Sequence, residues 1–262
     1  MQIIIPMTGY GSRFKAAGYS ELKPFIKVHG KPIIEWLVKM FPGDEDKITF
    51  ICQEKHLESL DYIRPELNRI APNAKMFSVK DWQKKGPVYD VLRASEVIDD
   101  KLPTIISYCD YYMNWDYQSF KKEVTSRNSD GSVPCYSGFH PHLIPRKNLY
   151  ASCKVDKDEN LIEIKEKFSW EEDKTKARHS PGVYYFKTGE LLKKYCKKMI
   201  EADDNINGEY YASLPFNYLV KDNLKVWCPN NATHFCQWGT PEDLEEYLFW
   251  MKIIKEFKIL LY

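Results

Sequence analysis

The run Ile3-Ile4-Ile5-Pro6-Met7-Thr8-Gly9-Tyr10-Gly11-Ser12-Arg13-Phe14, followed by Lys23-Pro24 and then Gly30-Lys31-Pro32-Ile33-Ile34, decides the fold. Its opening residues are continuously apolar, as expected of a strand buried on both faces. The strand then breaks into a loop carrying Gly9 and Gly11. Without Cβ atoms, paired glycines reach unusual φ/ψ and let backbone N–H groups close around an anion. Arg13 adds a forked donor for phosphate oxygens, and Lys23 a point charge. A tight turn with two ordinary surface cations is the plain alternative. Two other phosphate-binding motifs fail on spacing. A dinucleotide fingerprint wants a small residue where Phe14 stands, and a P-loop wants Gly-Lys-Ser/Thr, which is missing.

Outward from this stretch, Phe25–Val28 reads as a brief strand and Lys31–Phe41 as a helix, with Ile33, Ile34, Leu37, Val38 and Phe41 on one face. A strand at Lys47–Cys52 precedes a helix from about Glu54 to Ile70, which Pro65 bends or interrupts. Lys75–Val79 is a strand, Gly86–Val97 a helix, and Thr104–Tyr108 a strand ending at Cys109-Asp110. Strands and helices alternate here with no tight hairpin, so the sequence predicts parallel βαβ units. Ligands in such sheets bind at the carboxyl ends of strands, near the switch in strand order.

Strand-like runs come closer together beyond residue 130: Ser132–Tyr136, Tyr150–Val155, Leu161–Lys165 and Gly182–Phe186, with a turn at Asp156–Asn160. Helices at Gly189–Ile200 and Glu209–Val220, short strands at Val226–Cys228 and His234–Trp238, and a last helix to about Phe257 complete the chain. Thr240 is its expected N-cap, and Pro241 suits its first turn. The fold expected is α/β: a Rossmann-like mixed, mostly parallel sheet with helices on both faces and small β additions in the second half. The sequence predicts one domain over residues 1–262.

Composition narrows the partners. The 262 residues are 44% hydrophobic and 29% charged, which excludes disorder, and the net charge of +1 comes without a basic tract. Nucleic acid is therefore disfavoured. No apolar run approaches the roughly 18 residues needed to span a bilayer. Seven cysteines without a Cys-x-x-Cys pair, and Met1-Gln2 leading straight into a strand, predict reduced thiols and a cytoplasmic location.

With its flanks, the opening stretch resembles the N-terminal signature of the sugar-phosphate nucleotidyltransferase family. The resemblance continues at Cys109-Asp110, Glu166-Lys167, Gly182-Val183-Tyr184-Tyr185-Phe186, Gly208-Glu209-Tyr210-Tyr211 and Gly239-Thr240-Pro241-Glu242-Asp243-Leu244. It implies that residues 1–130 are mainly nucleotide-binding and 131–262 mainly substrate-binding, with the nucleotide held by Met7, Thr8, Gly9, Gly11, Ser12, Arg13 and Lys23. Arg13 would grip the triphosphate and Lys23 the α-phosphate, while Gln83–Leu92, with Gly86 and Pro87, would cover the base. Asp110 would bind Mg²⁺; its plain alternative is a strand-end cap. Lys167 would contact the incoming phosphate, with Glu209, His140 and Tyr184 toward the rest of the substrate. Glu163 and Trp238 read as structural. His140 and His142 have the spacing of a metal pair but no third ligand nearby.

Two departures from the family bear on function. Pro6-Met7-Thr8 replaces the small residues that usually follow the first strand, which narrows the base pocket toward a pyrimidine. Gln237 stands where the family places a second metal-binding aspartate, and a neutral amide is the weaker Mg²⁺ ligand. The chain looks like the compact cytidylyltransferases of bacterial capsular polysaccharide synthesis, a resemblance that implies CTP and a sugar, polyol or similar small phosphate as partners. A homodimer stays open. So do a hexose-1-phosphate uridylyl- or guanylyltransferase and, on account of Gln237, a catalytically weak regulatory homologue. A glycosyltransferase fits less well, since Asp110-Tyr111-Tyr112 lacks the Asp-x-Asp metal motif.

Overall fold

A computed structural model of the chain describes residues 1–145 and 148–256. Its main sheet has seven strands: β1 (Gln2–Pro6), β2 (Ile48–Gln53), β3 (Lys75–Val79), β4 (Thr104–Ser107), β5 (Gly131–Ser132), β6 (Val183–Phe186) and β7 (Val226–Trp227). Their order across the sheet is β7-β5-β6-β4-β1-β2-β3. All neighbours pair in parallel except at β6, which runs antiparallel to both β4 and β5. The expected mixed, mostly parallel sheet is what forms.

Period-two side-chain alternation splits β1 between two cores. Ile3 and Ile5 join one cluster with Leu37, Phe50, Leu67, Ile105 and Phe120. Ile4 turns to the other face and packs among Ile51, Val88, Val91, Ile106 and Phe216. All three isoleucines are fully buried, worth about 1.5–3 kcal/mol each. Helices cover both faces: Ile33–Val38, Ile63–Ile70 and Tyr117–Ser126 on the first, Pro87–Arg93, Gly189–Glu201 and Pro215–Lys221 on the second. No described helix is long and apolar enough to cross a membrane. All seven cysteines are buried and unpaired.

Several expected elements form differently. The first half does contain a tight hairpin, Lys27–Val28 against Lys31–Pro32. Its turn residues His29 (φ 50°) and Gly30 (φ 79°) are both left-handed, as a type I′ turn requires; histidine in place of the usual Asn or Asp hid it. The helix expected over Glu54–Ile70 is two, Glu54–Ser59 and Ile63–Ile70. The break falls upstream of Pro65, which occupies the second helix's first turn, where a missing N–H costs nothing. Tyr111–Asn114, paired antiparallel with His234–Gln237, and the helix Tyr117–Ser126 were not anticipated. Only Pro215–Lys221 of the Glu209–Val220 span is helical.

Leu161–Lys165, Ser152–Val155 and Arg178–His179 form the small added sheet. Thr240 caps the last helix, Pro241–Glu256, by accepting the Asp243 N–H at 3.2 Å. Its expected end at Phe257 lies outside the described residues.

Candidate active site

Strand order reverses at the β4–β1 boundary: β2 and β3 lie to one side of β1, and β4 to the other. The segments leaving the carboxyl ends of β1 and β4 diverge there and open a crevice, as in other open α/β sheets. The glycine loop follows β1, and Cys109-Asp110 follows β4. Both line a cleft of about 430 Å³.

On the first wall, Met7 prolongs the parallel ladder by donating its N–H to the Ile51 carbonyl at 2.9 Å. Gly11 then takes a left-handed conformation (φ 60°) at the start of the helix Ser12–Ala16. A Cβ there would stand 3.5 Å from the Lys23 Cβ, so the loop lies directly on the Lys23 backbone. Arg13, exposed, joins no ion pair among the described residues and shares the cleft lining with Gly9, Ser12 and Lys23.

Lys23 Nζ meets Asp110 Oδ2 at 2.7 Å on the cleft floor, both side chains 22% exposed. Burial works against the ammonium, but the adjacent carboxylate outweighs it and holds the Lys23 amine above its ordinary value. Gly239 packs against this pair. A Cβ on it would fall 2.7 Å from Asp110 Oδ2 and 3.0 Å from Gln237 Nε2. A carboxylate and a carboxamide thus flank one side-chain-free position.

The opposite wall comes from Gly86 and Pro87, together with Glu209 and Tyr211. Lys85 and Tyr210 stitch these segments together: the Tyr210 N–H donates to the Lys85 carbonyl at 2.8 Å, and the Val88 N–H to the Tyr210 carbonyl at 3.2 Å. Gly86 (φ 86°) could bear no side chain, since its Cβ would lie 2.6 Å from the Tyr210 nitrogen. At the rim Lys84 Nζ reaches Glu209 Oε1 at 3.1 Å.

One cleft therefore gathers Met7, Thr8, Gly9, Gly11, Ser12, Arg13, Lys23, Gly86, Pro87, Asp110 and Glu209. Other candidates lie outside that lining. Lys167, left-handed at φ 53°, holds its ammonium 5.1 Å from the centre of the ring of Tyr211, a residue that does line the cleft. Tyr184 is core, packed with Tyr108 and Phe216. His140 is buried, with Nδ1 against the Gly138 carbonyl and Nε2 accepting the Phe235 N–H. His142 bonds the Tyr136 hydroxyl, and burial drives its pKa down to about 3. Those two histidines belong to an aromatic cluster with Tyr136 and Phe235. Trp238 is buried core and Glu163 pairs with Lys165 on the surface. Among the described residues no three His, Cys, Asp or Glu side chains converge as a metal site.

Sequence reasoning passed over Tyr10, Trp82, Asp90 and Tyr108, all in the lining. Asp90 falls inside the segment assigned to the base, but its spacing from Val88 and Val91 takes it off the face those two share, so the helical pattern did not single it out. Tyr10 carried no signal either, being an ordinary loop residue by pattern.

A scan against protein-family models finds no match, and a search of curated proteins finds none either. Solved structures do match. The nucleoside-diphosphate-sugar pyrophosphorylase from Vibrio cholerae RC9 aligns with a TM-score of 0.76 at 19% identity, covering 95% of this chain and all of that one (100%). UDP-glucose pyrophosphorylase complexed with UDP-glucose gives 0.72 at 14% identity, over 96% and 98% of the two chains. HddC from Yersinia pseudotuberculosis, complexed with GMP-PN, gives 0.61 at 19%, over 95% and 99%. At such identities the likeness defines the class of fold: the α/β nucleotidyltransferase fold. The activity has to be argued from the cleft.

Proposed function

We propose that this protein is a nucleotidyltransferase. It joins a nucleoside triphosphate, CTP by preference, to the phosphate of a small sugar, polyol or similar metabolite and releases pyrophosphate, supplying an activated precursor for capsular or surface polysaccharide. One observation carries the reading: a glycine loop, a guanidinium, an ammonium and an aspartate meet at the switch point of a parallel sheet. The structural neighbours named above support it through what their names say of those proteins.

The chemistry asks for little else. A phosphate monoester has its second pKa near 6, so the attacking oxygen is already anionic at neutral pH and needs no general base. That oxygen bonds to the α-phosphorus as the bond to the bridging oxygen of the β-phosphate breaks, and pyrophosphate leaves with the electron pair. The barrier lies in bringing two anions together and in the charge growing on the leaving group. Positioned cations lower both. Arg13 faces the β- and γ-phosphates, Lys23 the α-phosphate, and Lys167, over the Tyr211 ring, is the cation for the incoming phosphate.

Mg²⁺ fits this donor set. Such an ion needs only one or two carboxylates when substrate phosphates complete its shell; Asp110 Oδ2 flanks the cradle at Gly239, where Gln237 turns its amide nitrogen and would have to present its oxygen instead to serve as a weaker second ligand. When bound, it would neutralise phosphate charge. Before nucleotide arrives, Asp110 holds the Lys23 amine above its ordinary value against the cost of burial; on binding, the lysine trades its carboxylate for a phosphate.

A pyrophosphate-release screen tests the proposal, crossing the four common nucleoside triphosphates with sugar, polyol and amino-acid-derived phosphates. Release that needs both CTP and an acceptor is the expected result. Silence in every combination would overturn the activity, and release only with another triphosphate would overturn the preference for CTP.

A further inference from the structure

The base end of the cleft holds a carboxylate that the chemistry above does not use. Asp90 sits on the helix Pro87–Arg93, 1% exposed, and lines the cleft between Thr8 and Trp82. Its Oδ2 accepts two hydrogen bonds, from Thr8 Oγ1 at 2.5 Å and Trp82 Nε1 at 3.1 Å. Oδ1 has no donor among the described residues. Trp82 is in turn held by Tyr10, whose ring meets it edge-on at 4.7 Å, and the Thr8 carbonyl accepts from Gln53 Nε2. Two neighbours, each held in turn by another residue, therefore fix the carboxylate in place and leave one oxygen over.

Acceptors in such surroundings are costly to leave without a donor. Burial raises the Asp90 carboxyl above its usual range, the two hydrogen bonds opposing it in part. A polar N–H brought in by a ligand relieves that cost. We propose that Asp90 is a specificity-determining residue: its Oδ1 accepts an N–H from the exocyclic amine of the nucleobase, selecting cytosine over uracil and thymine. Uracil and thymine turn a carbonyl oxygen toward the same spot, where two acceptors repel. The inference rests on the nucleotide-binding reading of this cleft and deepens it, because it ties the base preference to one atom.

Calorimetric titration of the full-length protein with CTP and with UTP, in Mg²⁺ buffer, tests it. The wild type is expected to bind CTP at least about 10-fold more tightly than UTP. Asp90→Asn keeps the shape, and its carbonyl oxygen can serve Thr8 and Trp82, which turns an NH₂ donor to the base. That variant should lower the CTP:UTP ratio by about 10-fold or more. An unchanged ratio in a folded, nucleotide-binding variant overturns the inference. Should Asp90→Asn fail to fold, the wild type decides alone with the triphosphate of 4-deaminocytidine, which lacks only the amine. Binding about 10-fold weaker than CTP supports the assignment, and equal binding overturns it. Failure of the wild type to bind any triphosphate strikes instead at the proposed function, and the inference falls with it.

Discussion

Two lysine–carboxylate pairs bracket the same cleft, one on its floor and one on its rim. Lys23 and Asp110 stand 2.7 Å apart, each 22% exposed; Lys84 and Glu209 stand 3.1 Å apart, with Lys84 79% exposed. The floor pair hangs from segments at the sheet's switch point, pinned by Gly11 and Gly239. The rim pair joins two loops, and its lysine stands in open water although Glu209 is only 26% exposed. Exposed pairs are screened by solvent and salt and contribute little. Shielded pairs hold their geometry, and losing one partner strands the other. Similar contacts in a contact map thus differ in consequence by orders of magnitude.

The largest effect should come from the floor. Lys23→Ala and Asp110→Ala are each expected to lower kcat by about 10²-fold or more, as when a preorganised charge stabiliser is removed; Arg13→Ala belongs with them. Pyrophosphate release at saturating substrates measures this, and near-wild-type turnover in any of the three would detach the floor from the chemistry.

Glu166 lies between the two extremes. Burial pushes its carboxyl up from 4.5 to about 7, opposed by a hydrogen bond from Ser213 and by the Lys167 charge. A raised acid is held neutral in the folded state, so its contribution to stability is complete below pH 4.5. That contribution drains away as pH rises toward 7, by roughly 2–3 kcal/mol. The melting temperature should fall across that window, and Glu166→Gln should flatten the fall. Identical slopes in the two proteins would count against a buried, neutral Glu166.

Least affected should be Lys84→Ala. Stability should change by less than about 1 kcal/mol and kcat/KM by less than about 5-fold. A larger loss in kcat/KM would erase the distinction between rim and floor.

Much of this contrast was legible in the sequence. Ile3–Ile5 declared a buried strand by unbroken apolarity, Gly9 and Gly11 a loop for anions, and the switch-point rule brought Asp110 to meet them. The resemblance supplied the roles, and local patterns supplied the turn at Asp156–Asn160 and the cap at Thr240. Long-range packing was not legible. Nothing near His140 announces that its ring nitrogens are taken by Gly138 and Phe235. Tyr111–Asn114 becomes a strand only because His234–Gln237, far along the chain, lies beside it. Glu209 and Tyr211 look helical by spacing, yet Ile206 and Glu209 bond each other's backbone and hold the segment open, which lets both side chains face the cleft.

The stitching at Gly86 has a mechanical consequence. Because Lys85 and Val88 hydrogen-bond Tyr210 from both sides, and no side chain can wedge between Gly86 and that backbone, the lip at Gly86 and the lip at Glu209 and Tyr211 are joined as one beam. A displacement of either lip is therefore expected to carry the other with it.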